Sequence, residues 1–383
     1  MPLDTIPRSS AASVILVAFA AMAAACGDDE PANGSATAQA TATSGSAASG
    51  SGAQGGEPAS GVGASGGGPT GTGGASSGGA TSSGGAGRGG GAPEVADPDL
   101  DGPYAFAELD ATTTVAATGH AVPIHCAYPT AGPDAGPYPV IVVAHGFQLP
   151  ASQYDEYLRR LATFGYVALT ADFPAGPFSV NNVDNAQDLS GALDWAATAV
   201  PLDGIADADT AGMSGHSMGG KLVLLAAKSD ARVKAVITLD AVDGSMGCNA
   251  ADCPDVSDLM PLDVPTAFLG ETTDSAGGFQ PCAPAADNFQ TFYAGTTAPS
   301  LEVTVAGANH MSFLDDAASC GLVCSFCQPA SAPNAKVVSL SKAYLVAFYE
   351  RYLRGNAGYD TYLTGAAAKA RYVDTGLATI ESK

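Results

Sequence analysis

The chain has 383 residues, of which 38 are acidic and 15 basic, for a formal net charge of −23. A nucleic-acid binder needs a positive footprint to displace counterions from phosphates, so this balance excludes nucleic acid as a partner. Length alone would allow two or three average domains, but the composition is uneven and most of the first hundred residues cannot build a core.

In chain order, the first feature is the apolar run Val14 to Ala25. At about a dozen residues it is too short to span a bilayer. With Arg8 upstream it fits the apolar centre of an export signal, and residues 1–25 are read as that signal. The run ends in Ala23-Ala24-Ala25-Cys26, similar to a bacterial lipobox with Ala23 where Leu is usual. Lipidation of Cys26 would attach the chain to a membrane; plain cleavage after a small-x-small site is the alternative, and a Cys directly after an Ala run favours lipidation. The expected location is the cell envelope or outside the cell. From Gly27 to about Pro98 the sequence is Gly, Ser, Ala and Thr with scattered Pro, too poor in apolar residues to offset the entropy of ordering. Residues 26–98 are therefore expected to be a flexible tether, with a root-mean-square span on the order of 45 Å.

Residues 99–383 alternate strand-like and helix-like segments. Val140 to Ala144 is a buried-strand run closed by His145-Gly146. Tyr154 to Phe164 reads as a helix, Tyr166 to Ala171 as a strand, and Val183 to Val200 as a helix. Thr210 to Ser214 is a short strand leading into Gly215-His216-Ser217-Met218-Gly219-Gly220, with a helix from Lys221 to Lys228. Val233 to Leu239, Pro265 to Leu269 and Leu301 to Val305 are further strands, and a last helix runs from about Val337 to Leu353. Such alternation implies an α/β fold, a mostly parallel central sheet with helices on both faces.

Gly215-His216-Ser217-Met218-Gly219 matches G-x-S-x-G between a strand and a helix. That context is the nucleophile elbow of the α/β-hydrolase fold, a tight turn that exposes the Ser hydroxyl at the carboxyl edge of the sheet. The Met218 amide, at the start of the helix, is one expected oxyanion donor. In this fold the order is Ser, acid, His. Of the five histidines, His120, His125, His145, His216 and His310, only His310 follows Ser217, so His310 is the expected base. His216 is expected to orient the elbow, and the Phe147 amide, after His145-Gly146, is the second expected oxyanion donor. His120 and His125 precede the expected core sheet and read as ordinary strand or loop residues. The acid must accept a hydrogen bond from the His ring. Asp240, ending the strand Val233 to Leu239, and Asp274, in Gly270-Glu271-Thr272-Thr273-Asp274, compete for that role, with Asp243 a poorer third.

Beyond the elbow come Leu239-Asp240-Ala241-Val242-Asp243-Gly244 and Pro281-Cys282-Ala283-Pro284 with Asn288-Phe289-Gln290-Thr291-Phe292-Tyr293. The last such segment is Asn309-His310-Met311-Ser312-Phe313-Leu314-Asp315-Asp316. Together these resemble the chlorophyllase-type α/β-hydrolases over roughly Tyr138 to Leu353, the His310 segment being the most specific part. The resemblance implies Asp240 as the acid, and platelet-activating-factor acetylhydrolases look similar there. Cutinase-like polyester hydrolases instead place the acid in a segment that maps onto Asp274. The chain departs from plant chlorophyllases at Met218, where they commonly carry Arg; with the export signal, this points away from chlorophyll as substrate.

There are eight cysteines. With Cys26 lipidated, seven remain, and in an exported domain disulfides are the default. Cys248 and Cys253 are close enough in sequence to pair across a loop; the connectivity of the rest is open, and the odd count means one cysteine is free or wrongly assigned. The trio Cys320, Cys324 and Cys327 has an iron–sulfur spacing but no fourth ligand nearby, so a disulfide-tied loop is expected there. The function expected is hydrolysis of small-molecule or lipid-like carboxylic esters by a monomer with a Ser217-His310-Asp240 triad, needing no metal or organic cofactor. A lipase-like or polyester-degrading surface enzyme and an inactive surface-tethered binding module are the alternatives.

Overall fold

The computed structural model of the chain describes residues 95–175, 180–244, 248–275 and 281–383. The expected export signal, Cys26 and nearly all of the expected tether lie outside them.

Among the described residues, nine strands form one sheet in the order β1-β2-β4-β3-β5-β6-β7-β8-β9. They are β1 (Ala105–Thr114), β2 (Ala121–Ala131), β3 (Tyr138–Ala144), β4 (Val167–Ala171), β5 (Ala206–His216), β6 (Val233–Leu239), β7 (Thr266–Glu271), β8 (Ser300–Val305) and β9 (Ala378–Ser382). The strands from β4 to β8 pair in parallel, while β1, β2 and β9 pair antiparallel at the edges. This is the α/β-hydrolase arrangement.

The central strands are apolar on both sides because both sides are covered. Ile141, Val143, Ile237 and Leu269 point into one core with α1 (Asp155–Thr163) and α5 (Asn334–Tyr352). Their strand neighbours Val140, Val142, Val236 and Phe268 point into the other, with α2 (Asn182–Thr198), α3 (Met218–Ser229) and α4 (Phe289–Ala294). Each such side chain removed from water is worth roughly 1.5–3 kcal/mol, so the alternation fixes which face each residue takes.

Three features differ from the sequence reading. The β1–β2 hairpin and β9 enlarge the sheet at its edges, and His125 lies within β2 rather than before the sheet. β1 alternates exposed with half-buried residues, so it carries no apolar run. The helix ending at Tyr352 is not the last element, since short helical turns and β9 follow it. The strand before the elbow is also longer than expected, running through Gly215 and His216 themselves.

Candidate active site

The carboxyl ends of the parallel strands converge on one spot. β5 ends at the elbow, where Ser217 takes φ 55° and ψ −123°. A non-glycine residue held there is strained, and the surroundings must over-determine it. They do so by backbone bonds from Ser217 N–H to the Leu239 carbonyl at 3.1 Å and from Val242 N–H to the Ser217 carbonyl at 3.2 Å. Glycine is required on both sides of the turn. A Cβ on Gly215 would strike the Gly219 carbonyl, and one on Gly219 would strike the Ala144 carbonyl at the end of β3.

His310 follows β8 at the head of a short 3-10 turn, 4% exposed. Its Nε2 lies 2.8 Å from Ser217 Oγ and its Nδ1 lies 2.6 Å from Asp240 Oδ2. Since the carboxylate accepts, Nδ1 carries the proton in the resting ring and Nε2 is free to accept from the serine. Asp240 is wholly buried just beyond β6, with φ 46° and its N–H donating to the Leu269 carbonyl at 2.6 Å. Burial raises its carboxyl above the usual range against the pull of His310. For His310 burial acts downward, but the Asp240 hydrogen bond and the negative charges of Asp240, Asp274 and Glu271 outweigh it, so its proton affinity is raised.

The other acid candidates have different partners. Asp274 is also wholly buried, but its Oδ2 accepts the backbone N–H of His310 at 2.9 Å and its Oδ1 that of Gln328 at 2.7 Å. It holds the loop, while Asp240 meets the ring. Asp243 is paired with buried Lys221 and accepts the Val256 N–H at 2.7 Å.

The oxyanion candidates flank the serine. The segment after β3 packs on the elbow, so that a Cβ on Gly146 would lie 3.3 Å from Ser217 Cβ. Phe147 follows directly, and Met218 is the first residue of α3. Three histidines are engaged elsewhere: His120 Nδ1 contacts Asp188 and His125 Nδ1 contacts Asp110, each at 2.7 Å, and His145 stacks on Phe173 with centroids 3.9 Å apart. His216 bonds to Tyr154 and to the His310 carbonyl.

Among the described residues, disulfides join Cys248 to Cys253, Cys282 to Cys327 and Cys320 to Cys324, and Cys126 is a buried thiol. The expected Cys248–Cys253 loop pairing is present, while the expectation of an odd thiol rests on Cys26, which lies outside the described residues. Asp274 with Cys282 and Cys327 forms a cluster of metal-ligand types, but its sulfurs are bonded to each other and offer no thiolate. Two more buried residues, Glu271 and Tyr154, lie at the site without belonging to any motif. Glu271, at the end of β7, is fully buried, and its Oε2 accepts the N–H groups of Thr273 and Asp274. Its position directly after an apolar strand run was the available signal. Tyr154 has only the sequence signature of a helix residue, and nothing in sequence links it to His216, 62 positions away.

The model of the chlorophyllase family matches residues 100–370. This chain belongs to that family. Chlorophyllase-2 of Arabidopsis thaliana is 25% identical over 203 residues, covering 48% of this chain and 63% of the relative. Chlorophyllase-1 of the same plant is 28% identical over 216 residues, covering 51% and 64%. A bis(hydroxyethyl) terephthalate hydrolase of Streptomyces coelicolor is 27% identical over 269 residues, covering 69% of this chain and 72% of the relative. The chain thus spans less than two thirds of the length of these two Arabidopsis chlorophyllases.

Proposed function

We propose that this chlorophyllase-family chain hydrolyses carboxylic esters through an acyl-enzyme on Ser217. The observation that carries the proposal is the unbroken chain Ser217 Oγ, His310 Nε2, His310 Nδ1 and Asp240 Oδ2, with links of 2.8 and 2.6 Å at the elbow. His310 takes the hydroxyl proton as Ser217 Oγ bonds to the ester carbonyl carbon. Asp240 stabilises the imidazolium so formed. The Met218 and Phe147 amides hold the oxyanion, a donor of this kind being worth about 2.7–4 kcal/mol. The ester C–O bond then breaks, and the leaving alkoxide takes the proton from His310. A water molecule, deprotonated by the same ring, attacks the acyl carbon, and Ser217 leaves with the proton as the acid is released.

The names of the relatives point to two ester classes, chlorophyll-like and terephthalate. We favour a small or lipid-like ester outside the cell over chlorophyll. The support is Met218 in place of the usual plant Arg, together with the terephthalate hydrolase's match to 69% of this chain. A lipid- or polyester-degrading enzyme at the cell surface is the second reading. Export is inferred from the Val14 to Ala25 run and from disulfide pairing, which suits an oxidising compartment.

The test is labelling of the wild type by a fluorophosphonate probe, with turnover of p-nitrophenyl esters of increasing acyl length. Ser217→Ala should abolish both while leaving the fold intact. Residual activity above about one per cent refutes the nucleophile, because losing one triad member costs several orders of magnitude. A folded wild type that neither labels nor turns over esters is the binding module instead.

A further inference from the structure

Tyr154 and His216 take no part in the proton transfers above, yet both are fully buried where three parts of the site meet. His216 Nε2 lies 2.8 Å from the His310 carbonyl oxygen. A carbonyl only accepts, so Nε2 carries the proton and, in a neutral ring, Nδ1 is bare. The Tyr154 hydroxyl, 2.8 Å from Nδ1, therefore donates to it. The phenolic oxygen is left to accept, and the Gly146 N–H donates to it at 3.2 Å. Every proton in this row has one place. Burial drives His216 well below the ordinary imidazole range and His310 adds to the effect, while burial raises the Tyr154 phenol.

The row joins segments far apart in the chain. Gly146 follows β3, His216 ends β5 and His310 follows β8. A Cβ on Gly146 would lie 3.1 Å from His216 Nδ1, so the loop rests directly on the ring. The His216 and His310 rings stand 4.8 Å apart between centroids. A neutral His216 adds none of the like-charge repulsion that a charged one would bring when His310 becomes an imidazolium.

We propose that Tyr154 and His216 form a neutral hydrogen-bonded strut that sets the oxyanion loop at Gly146–Phe147 against the elbow serine and the His310 base. They are positioning residues, and the proposal rests on the reading of Ser217 and His310 as nucleophile and base. Removing the Tyr154 hydroxyl leaves the Gly146 N–H and His216 Nδ1 without partners, and displacement by about 1 Å at a reacting centre can cost about a hundredfold in rate.

Two measurements test it. In Tyr154→Phe, kcat on p-nitrophenyl acetate should fall on the order of 10- to 100-fold, with KM changed by less than about threefold. Fluorophosphonate labelling of Ser217 should slow in parallel. A residue that only stabilises the fold would lower Tm and leave kcat per folded molecule unchanged, and that result overturns the proposal. The second measurement needs no variant: nitrogen-15 NMR of histidine-labelled wild type at pH 7 should show His216 neutral, with the proton on Nε2. A proton on Nδ1 or a charged ring overturns the strut even if Tyr154→Phe fails to fold. A wild type that neither labels nor turns over esters overturns the catalytic reading and this one together. A wild type that labels beside an unimpaired Tyr154→Phe overturns this one alone.

Discussion

Replacing Glu271 by Gln should flatten the dependence of stability on pH. Glu271 is 0% exposed at the end of β7, and among the described residues no group donates to its Oε1. Burial first, then the charges of Asp240 and Asp274, raise its carboxyl from 4.5 to about 7. The folded state therefore binds the proton more tightly than the unfolded chain does. The associated stability is fully present below about pH 4.5 and is lost as pH rises through about 7. At 1.36 kcal/mol per pH unit, the interval corresponds to about 3 kcal/mol. Gln cannot ionise, and its carbonyl can still accept from Thr273 and Asp274. Urea unfolding of wild type and variant, disulfides intact, at pH 5 and pH 8 isolates the effect, because any pH-independent cost of the substitution cancels. The variant should gain on the wild type by about 2–3 kcal/mol between those two values. A gap that stays the same within about 0.5 kcal/mol would refute the reasoning and return Glu271 to an ordinary surface-like carboxyl.

Two further outcomes follow from the site and the amino-terminal segment. Asp240→Asn should lower kcat by about 10⁴, as loss of the triad acid does elsewhere, whereas Asp274→Asn should mainly cost about 1–3 kcal/mol by disturbing two backbone contacts. Turnover of p-nitrophenyl butyrate at matched folding decides between them, and a dead Asp274→Asn beside an active Asp240→Asn would reverse the assignment. Cys26→Ser should abolish palmitate incorporation and detergent-phase partitioning of the expressed protein; unchanged partitioning would remove lipidation from the reading.

The centre of the fold was readable because its strands are covered on both faces. Runs such as Val140 to Ala144 must be continuously apolar to serve two cores, and that signal survives without any tertiary information. The edges were not readable for the converse reason. β1 is exposed or half-buried along its length, and β9 has one buried residue in five, so neither carries more than a weak alternation. The extra length of β5 was hidden by Ala206 to Thr210, whose polar and acidic residues resemble a loop. Ala206 and Asp207 pair with Tyr138 and Pro139 of β3, and a register shift then carries the strand past Ala208 to Thr210.

Within the site, a motif and chain order point to Ser217 and His310, whereas the residues alone leave Asp240 and Asp274 in competition and only the family resemblance favours Asp240; the structure gives a reason. Asp240 and Asp274 follow neighbouring parallel strands whose partners include Leu239 and Leu269. Both are carried to the same corner, both are fully buried, and both contact His310. What separates them is direction. Asp240 sits in a left-handed backbone conformation at φ 46° with its carboxylate on the imidazole, whereas Asp274 spends both oxygens on backbone N–H groups. An αL residue that is not glycine leaves little trace in sequence. The two roles are nonetheless coupled. Asp274 holds the His310 backbone in place, and Cys282–Cys327 ties down the chain beside Gln328, its other partner. A modest rate loss in Asp274→Asn would therefore report displacement of His310, the proposed base, and would not make Asp274 the acid. The ring contact, which Asp240 alone of the two makes, is the one that can stabilise the imidazolium.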